Sequence, residues 1–316
     1  MRKYIAGRLV GLFFVLLGVT FFTFFMMQFA ADDAVDKMYD DRGAVSEELK
    51  AERRHELGLD RPFFVQYGTW LMGLASGDMG KSFISGKDVF ETFIEKLPQT
   101  IWLMAVSILM TLTVSLPLGI ISAVKRDESI DYIIRFFSFI GNSLPNFFTA
   151  LLLIYFLALK MNLLPIMGNS ENMRSVILPA LTLAIAMGAK YTRQMRTVIL
   201  EEMNKPYVAG ARSRGVAEST ILFKSVLRSS LVPLITLLAL SIGSLLGGTA
   251  IVETIFMWDG VGKMAVDAII MRDYPIIQAY VVWMSIIYVV VNLIADIMCD
   301  YFDPRAEIYN GGGSAP

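Results

Sequence analysis

The sequence offers few side chains that could make or break a covalent bond. It contains one histidine, His55, and one cysteine, Cys299. A multi-histidine metal site, a histidine proton relay and an internal disulfide framework are therefore excluded. No G-x-x-x-x-G-K-[S/T] phosphate loop, H-E-x-x-H or G-x-S-x-G motif occurs, so the residues that bind ATP through a Walker loop or run zinc and serine hydrolysis are missing. His55 stands among Arg53, Arg54 and Glu56 and reads as a solvated side chain rather than a ligand. Cys299 reads as a small apolar residue near the end of the last apolar run. What remains are polar residues in places where polarity needs a reason.

The first place is residues 193–228, a polar stretch between two long apolar runs. Within it, residues 206–215 have the form of a short helix with both ends marked. Pro206 suits a first helical turn, where a missing N–H costs nothing. Gly215 suits the left-handed position that ends a helix. Ala209, Gly210 and Ala211 leave one side almost bare, so another surface could approach the backbone; Tyr207, Arg212 and Arg214 flank it. An ordinary solvated loop fits this stretch equally well. The second place is Asn142, Ser143, Pro145 and Asn146 inside an apolar run. Pro145 should kink that helix. Its polar neighbours either hydrogen-bond a facing helix or line a water-filled path. The third is Glu253, an acid embedded in an apolar run. It either binds a cation or, the preferred reading, hydrogen-bonds the turn at residues 258–262.

These residues must be held by membrane helices. The chain is 55% hydrophobic, with a mean hydropathy of +0.56, too apolar for an ordinary soluble domain. A ~30 Å hydrocarbon core needs about 20 apolar residues as helix. Six runs qualify: 9–29, 99–124, 133–159, 176–192, 231–256 and 279–298. They lack the two-residue alternation of barrel strands. Lys and Arg concentrate before the first run, between the second and third, and in residues 193–228. By the positive-inside rule both termini are expected in the cytoplasm. The basic start precedes a run too long for a signal peptide, so it reads as a retained span. Residues 1–29 thus form a first transmembrane helix. Residues 30–98 form an external region, 95–298 a transmembrane core with a cytoplasmic loop at 193–230, and 299–316 a tail. In the external region, Ser46 is placed to cap a helix that Gly58 ends. Pro62 opens a second helix whose aromatics, Phe63, Phe64, Tyr67 and Trp70, are expected on the membrane face or a neighbouring external loop. The many methionines read as lipid-facing or gap-filling residues rather than a metal conduit. Residues 311–316 have linker composition.

The stretch YVAGARSRGVAESTILFKSVLRSSLVP, residues 207–233, resembles the cytoplasmic "EAA" loop of ABC-importer permeases, in the branch serving dipeptide, oligopeptide and nickel importers. Ala209, Ala211, Gly215, Leu227, Arg228 and Pro233 carry the likeness; the naming glutamate is absent and Gly210 replaces the central alanine. LGLDRP at 57–62, QYGTW at 66–70, GDMGKS at 77–82, SLPNF at 143–147 and LPIMG at 164–168 are similar too. So are GGT at 247–249 with Glu253, RDYPIIQ at 272–278 and DPR at 303–305. Asp259 stands where the family usually has proline. The resemblance covers nearly the whole chain and fits the first-subunit type.

It implies an all-α polytopic protein of about six transmembrane helices with the ABC type I importer permease fold, in a bacterial or archaeal plasma (inner) membrane. It implies a non-catalytic subunit that binds no cofactor, with ATP and Mg on partner ATPases. The partners implied are a second, homologous permease subunit forming a heterodimer, two ATPase subunits, an extracellular or periplasmic binding protein and the lipid bilayer, but no nucleic acid. Pro206, Tyr207, Ala209, Gly210, Ala211, Arg212, Arg214 and Gly215 would seat on an ATPase. Asn142, Ser143, Pro145, Asn146 and Glu253 would line the pathway. Short motifs at 66–70, 164–168 and 247–249 look closer to nickel-importer permeases, so the expected cargo is a nickel ion or chelate, without a fixed metal site. The alternative is di- or oligopeptide import. From another class, a passive channel or membrane scaffold would not need the loop ending at Gly215.

The topology is testable. In a Cys299→Ala background, Ser46→Cys and Ser219→Cys should react with an impermeant thiol reagent from opposite sides of the membrane. Labelling from one side would overturn it.

Overall fold

The structure is a computed structural model and describes residues 2–28, 34–39, 46–167 and 173–302. Residues 168, 303–305 and 311–316, which belong to motifs and the tail noted above, lie outside the described residues. The described chain is almost entirely helical, as a backbone in hydrocarbon must be to satisfy its own N–H and C=O groups. Its helices are α1 (Arg2–Gln28), α2 (Ala34–Tyr39), α3 (Glu47–Glu56), α4 (Phe63–Ala75), α5 (Val89–Val124), α6 (Ser129–Ser143) and α7 (Asn146–Leu153). They continue with α8 (Ile177–Met203), α9 (Pro206–Ser213), α10 (Glu218–Thr220), α11 (Leu227–Ile255), α12 (Val261–Met271) and α13 (Tyr274–Phe302). Short π-helical segments, Ile154–Lys160 and Ile221–Val226, extend α7 and precede α11.

Among the described residues, four helical segments are long and apolar enough to cross a membrane singly: Val10–Met27, Val89–Val124, Glu218–Ile255 and Tyr274–Cys299. They carry four of the six spans expected. The third expected span, 133–159, is not one kinked helix. It is α6 and α7, bent by 104°. The cause lies at Leu144 and Pro145. A residue before proline is driven out of the helical region, and Leu144 sits at φ −84°, ψ 127°; Pro145 then precedes α7 at ψ 144°. The fourth expected span falls in α8, which runs 27 residues but fails the same test. Lys190, Arg193, Arg196, Glu201 and Glu202 occupy its second half, while Leu178, Leu183, Tyr191, Met195 and Ile199 are buried. One side of α8 is thus packed against other helices.

The chain forms two compact units. The first comprises residues 1–101 and 257–289. In it Ser46 accepts a hydrogen bond from the Leu49 N–H at 3.4 Å and starts α3, and Gly58 ends it at φ +69°. Phe63, Tyr67 and Trp70 of α4 pack on α1, a partner the expectation did not name, while Phe64 is exposed. Phe63 and Tyr67 meet Phe21 and Phe24 at centroid distances of 5.5–5.7 Å, and Tyr67 hydrogen-bonds Thr20 at 3.1 Å. His55 is exposed and pairs with Asp60 at 2.6 Å, which holds the Asp60 carboxyl below its usual range. Asp273 accepts from the Ser82 hydroxyl at 2.5 Å and from the Phe83 N–H at 3.0 Å. This bond pair joins the GDMGKS and RDYPIIQ stretches. The turn before α12 is anchored by Trp258 Nε1 donating to the Gln99 carbonyl at 3.0 Å and the Val261 N–H donating to Thr100 Oγ1 at 2.9 Å. Asp259, the departure from the family pattern, pairs with Lys96.

The second unit comprises residues 102–256 and 290–316. Its centre is Asp131, fully buried in the first turn of α6. Arg196 of α8 donates to it through Nε and Nη2, both at 2.8 Å. Ser122 Oγ adds a bond at 2.5 Å and the Asp127 N–H another at 3.0 Å. A buried carboxylate is tolerable only when so fully paired. Nearby, Gly119 of α5 lies against Met195 of α8. A Cβ there would come within 2.6 Å of the Met195 Cβ and 3.0 Å of the Thr192 carbonyl, so only glycine permits this approach. Removing one partner of a buried pair leaves a stranded charge, at a cost of about 3–5 kcal/mol. Asp131→Ala should therefore lower the melting temperature of the detergent-solubilised protein well beyond the effect of Ser122→Ala. Equal melting would show that the pair is dispensable.

Candidate functional site

The expected short helix is α9, and its boundaries follow from its ends. Pro206 occupies its first turn, behind an extended Lys205 at ψ 150°. At the other end the Val216 N–H bonds the Ala211 carbonyl at 3.2 Å and the Gly215 N–H bonds Arg212 at 2.9 Å. With Gly215 at φ +74°, this is the paired closure of a Schellman motif. A Cβ on Gly215 would meet nothing within 4 Å. The demand for glycine is thus conformational rather than steric.

One side of α9 is fixed to the protein. Val208 is fully buried in an apolar cluster with Ala123, Met195, Ile199, Ile221, Val226 and Leu234, and Ala211 packs beside it. The Tyr207 hydroxyl donates to Glu202 Oε2 at 3.0 Å, and Lys205 pairs with the same carboxylate. Burial pushes the Tyr207 hydroxyl above its ordinary pKa, so it stays a neutral donor. The helical repeat then puts Pro206, Ala209, Gly210 and Ser213 on a common face. Pro206, Ala209 and Ser213 are exposed and Gly210 is half-buried. Arg212 folds away to make a two-bond pair with Glu218, at 2.6 and 3.0 Å, bridging the turn at Gly215. Arg214 is exposed.

The sequence brought out most of this loop but not its fastenings. Opposite charges six residues apart across a glycine turn were a usable signal for Arg212 and Glu218. Val208 carried none, because a lone valine says nothing about which face is inward.

The remaining candidates belong to the same unit. Asn142, Ser143 and Pro145 are exposed at the end of α6 and the α6–α7 break. Ser143 Oγ donates back to the Phe139 carbonyl at 2.8 Å, so its hydroxyl is satisfied within its own helix. Asn146 is half-buried, its Nδ2 3.7 Å from where a Cβ on Gly248 of α11 would stand. Glu253 is fully buried in α11. Among the described residues no group of three or more His, Cys, Asp or Glu could hold a metal ion.

Comparison with known proteins names the family. The family described as "Binding-protein-dependent transport system inner membrane component" matches residues 115–308, and its N-terminal companion, "Binding-prot-dependent transport system membrane comp, N-term", matches residues 1–104. The chain belongs to this family. It is an ABC-importer permease of the dipeptide, oligopeptide and nickel branch. The oligopeptide transport system permease protein AppB of Bacillus subtilis (strain 168) is 39% identical over 97% of this chain and 100% of its own length. The metal-staphylopine import system permease protein CntB of Staphylococcus aureus (strain NCTC 8325 / PS 47) is 32% identical over 96% of this chain and 98% of its own. Among solved structures, the permease resembles a chain of the MetNI methionine ABC transporter in inward-facing conformations. The TM-score is 0.57 at 15% identity, covering 68% of this chain and 97% of that one. That likeness speaks for the type I importer permease fold alone.

Because Val208 anchors α9, Val208→Asp should free it; an unpaired buried carboxylate costs several kcal/mol. Limited trypsin digestion of the permease should then cut at Arg212 or Arg214 about tenfold faster. An unchanged rate would show that the cluster does not hold the helix.

Proposed function

We propose that this permease forms half of the translocation pathway of an ATP-driven peptide importer and takes its drive through α9. The observation that carries the coupling role is the geometry of α9 itself. Val208 and Tyr207 fasten it from behind, Gly215 fixes its exit, and its outer face is made of small side chains. Such a face lets a groove on an ATPase reach the helix backbone. Pro206, Tyr207, Ala209, Gly210, Ala211, Arg212, Arg214 and Gly215 are the assigned residues, with Arg212 acting through Glu218 as a brace of the turn. ATP and Mg reside on that ATPase, one copy of which sits under this chain and another under a second permease subunit. A binding protein delivers cargo from outside, both termini being cytoplasmic.

Peptide import is favoured over the nickel cargo that the short motifs pointed to. AppB, an oligopeptide permease, is similar over the whole chain and more so than CntB, a metal-staphylopine permease. Import of a metal chelate is the second reading, and CntB is what supports it. The exposed Asn142 and Ser143 at the α6–α7 break favour a pathway lining over a helix–helix hydrogen bond, since their side chains face away from the packed interior. Asn146, half-buried, extends that lining, whereas Glu253 is fully buried and presents no surface to an open path.

The test is Gly215→Val. A β-branched residue at positive φ costs roughly 1 kcal/mol or more, which displaces α9 while leaving the spans packed. Reconstituted with both ATPases, the partner permease and the binding protein, the variant should assemble on a sizing column. Peptide uptake and substrate-stimulated ATP hydrolysis should fall together, by tenfold or more. Normal uptake would remove Gly215 from the mechanism, and loss of assembly would make its role structural.

A further inference from the structure

Helices α6 and α8 are tied together at two places in the second unit. Near the start of α6, Asp131 receives the two bonds from Arg196. Near its end, Gly141 lies against α8: a Cβ there would stand 3.1 Å from the Ala189 Cβ and 3.5 Å from the Ile185 carbonyl oxygen. The first of these is tighter than ordinary side-chain contact, so the helices approach this closely because Gly141 has no side chain. Ala189 and Arg196 are seven residues apart, which is two turns and about 10 Å along one face of α8. A single tie would act as a pivot. Two ties on one face restrain both swing and slide. They also differ in kind: the close contact at Gly141 fixes separation, and the paired guanidinium bonds restrain rotation.

The two ends of this tied pair meet the two candidate sites of the unit. At one end α8 seats α9: Met195 and Ile199, on either side of Arg196 in the sequence, belong to the cluster that buries Val208. At the other end Gly141 directly precedes Asn142 and Ser143, which are exposed where α6 gives way to α7. Along the chain these places are far apart, with Ser143 lying 65 residues before Val208. Through α6 and α8 they are joined by buried contacts alone. Asp131 and Gly141 are buried and Arg196 is half-buried, so what these three residues set is the position of one helix on the other.

We propose that Asp131, Arg196 and Gly141 are positioning residues that make α6 and α8 one rigid lever, which carries displacement of α9 to Asn142 and Ser143 at the α6–α7 break. This rests on the reading that α9 takes the drive from an ATPase. The test uses the importer reconstituted with both ATPases, the partner permease and the binding protein. Arg196→Lys keeps a charge facing Asp131 but replaces the planar fork with a point charge. Gly141→Ala leaves the charges alone and presses the helices apart at the other tie. Each variant should assemble and keep substrate-stimulated ATP hydrolysis within about twofold of wild type, while uptake per ATP falls about tenfold. A general packing defect would instead lower uptake and hydrolysis together. That result in an assembled variant, or unchanged uptake per ATP, would overturn the lever. Rigidity is read directly from nitroxides on Phe139→Cys and Thr197→Cys, both exposed positions, in a Cys299→Ala chain with cysteine-free partners. Between the nucleotide-free and vanadate-trapped importer their separation, measured by double electron–electron resonance, should change by less than about 2 Å, the scale of ordinary helix shifts. With Arg196→Lys added, the distribution should broaden. A larger shift without that substitution would show that α6 and α8 slide, and would overturn the proposal even if neither variant assembled. Failure of the α9 reading looks different. Gly215→Val would then transport normally while the labelled distance stays constant and Arg196→Lys still uncouples. That outcome would move the entry of the drive away from α9 and leave the α6–α8 lever standing.

Discussion

The second unit depends on one buried charge. Asp131 receives two bonds from Arg196, one from Ser122 and one from the Asp127 N–H. A single carboxylate thereby ties the end of α5, the α5–α6 turn, the start of α6 and the polar half of α8. Such a pair is weak grounds for net stability, because desolvating both partners offsets most of their attraction. Its value is in geometry: a planar guanidinium donates paired bonds to a carboxylate in only a few arrangements, so the pair restrains α8 in rotation as well as in position. The cluster that buries Val208 includes Met195 and Ile199 of α8. The seat of α9 is therefore referred to the same helix that Asp131 fixes.

The loop between α8 and α11 and the break between α6 and α7 show two ways of leaving a regular helix. At α9 the exit is a glycine in a left-handed conformation, closed by two backbone bonds. At Leu144 and Pro145 it is a proline acting on the residue before it. Both are local effects, and both could be read from a few neighbouring residues. That is why the limits of α9 and the position of the α6–α7 break were legible, whereas the 104° bend was not. The angle depends on what α7 packs against, which no short stretch encodes. Asp131 and Arg196, Gly119 and Met195, and the aromatics of α4 and α1 were illegible for the same reason. Each pairs residues far apart in the chain, and each partner looks ordinary alone. The substrate was the least legible of all. Motifs of three to five residues leaned to nickel, and whole-chain similarity leans to peptides.

The composition of α8 has a consequence for how the chain is made. An apolar helix can leave the insertion machinery for lipid on its own, but a charged residue near the centre of a span opposes that step by about 2.5–3.5 kcal/mol. Lys190 and Arg193 close the uncharged stretch 177–189 of α8, which is shorter than the about 20 residues that cross a bilayer unaided. Its burial comes from α6, α7 and α11, and α11 is synthesised after it. During synthesis α8 thus lacks part of its packing until α11 has been made. The order of synthesis leaves the segment that carries the coupling helix uncommitted until the last part of this unit's core is in place.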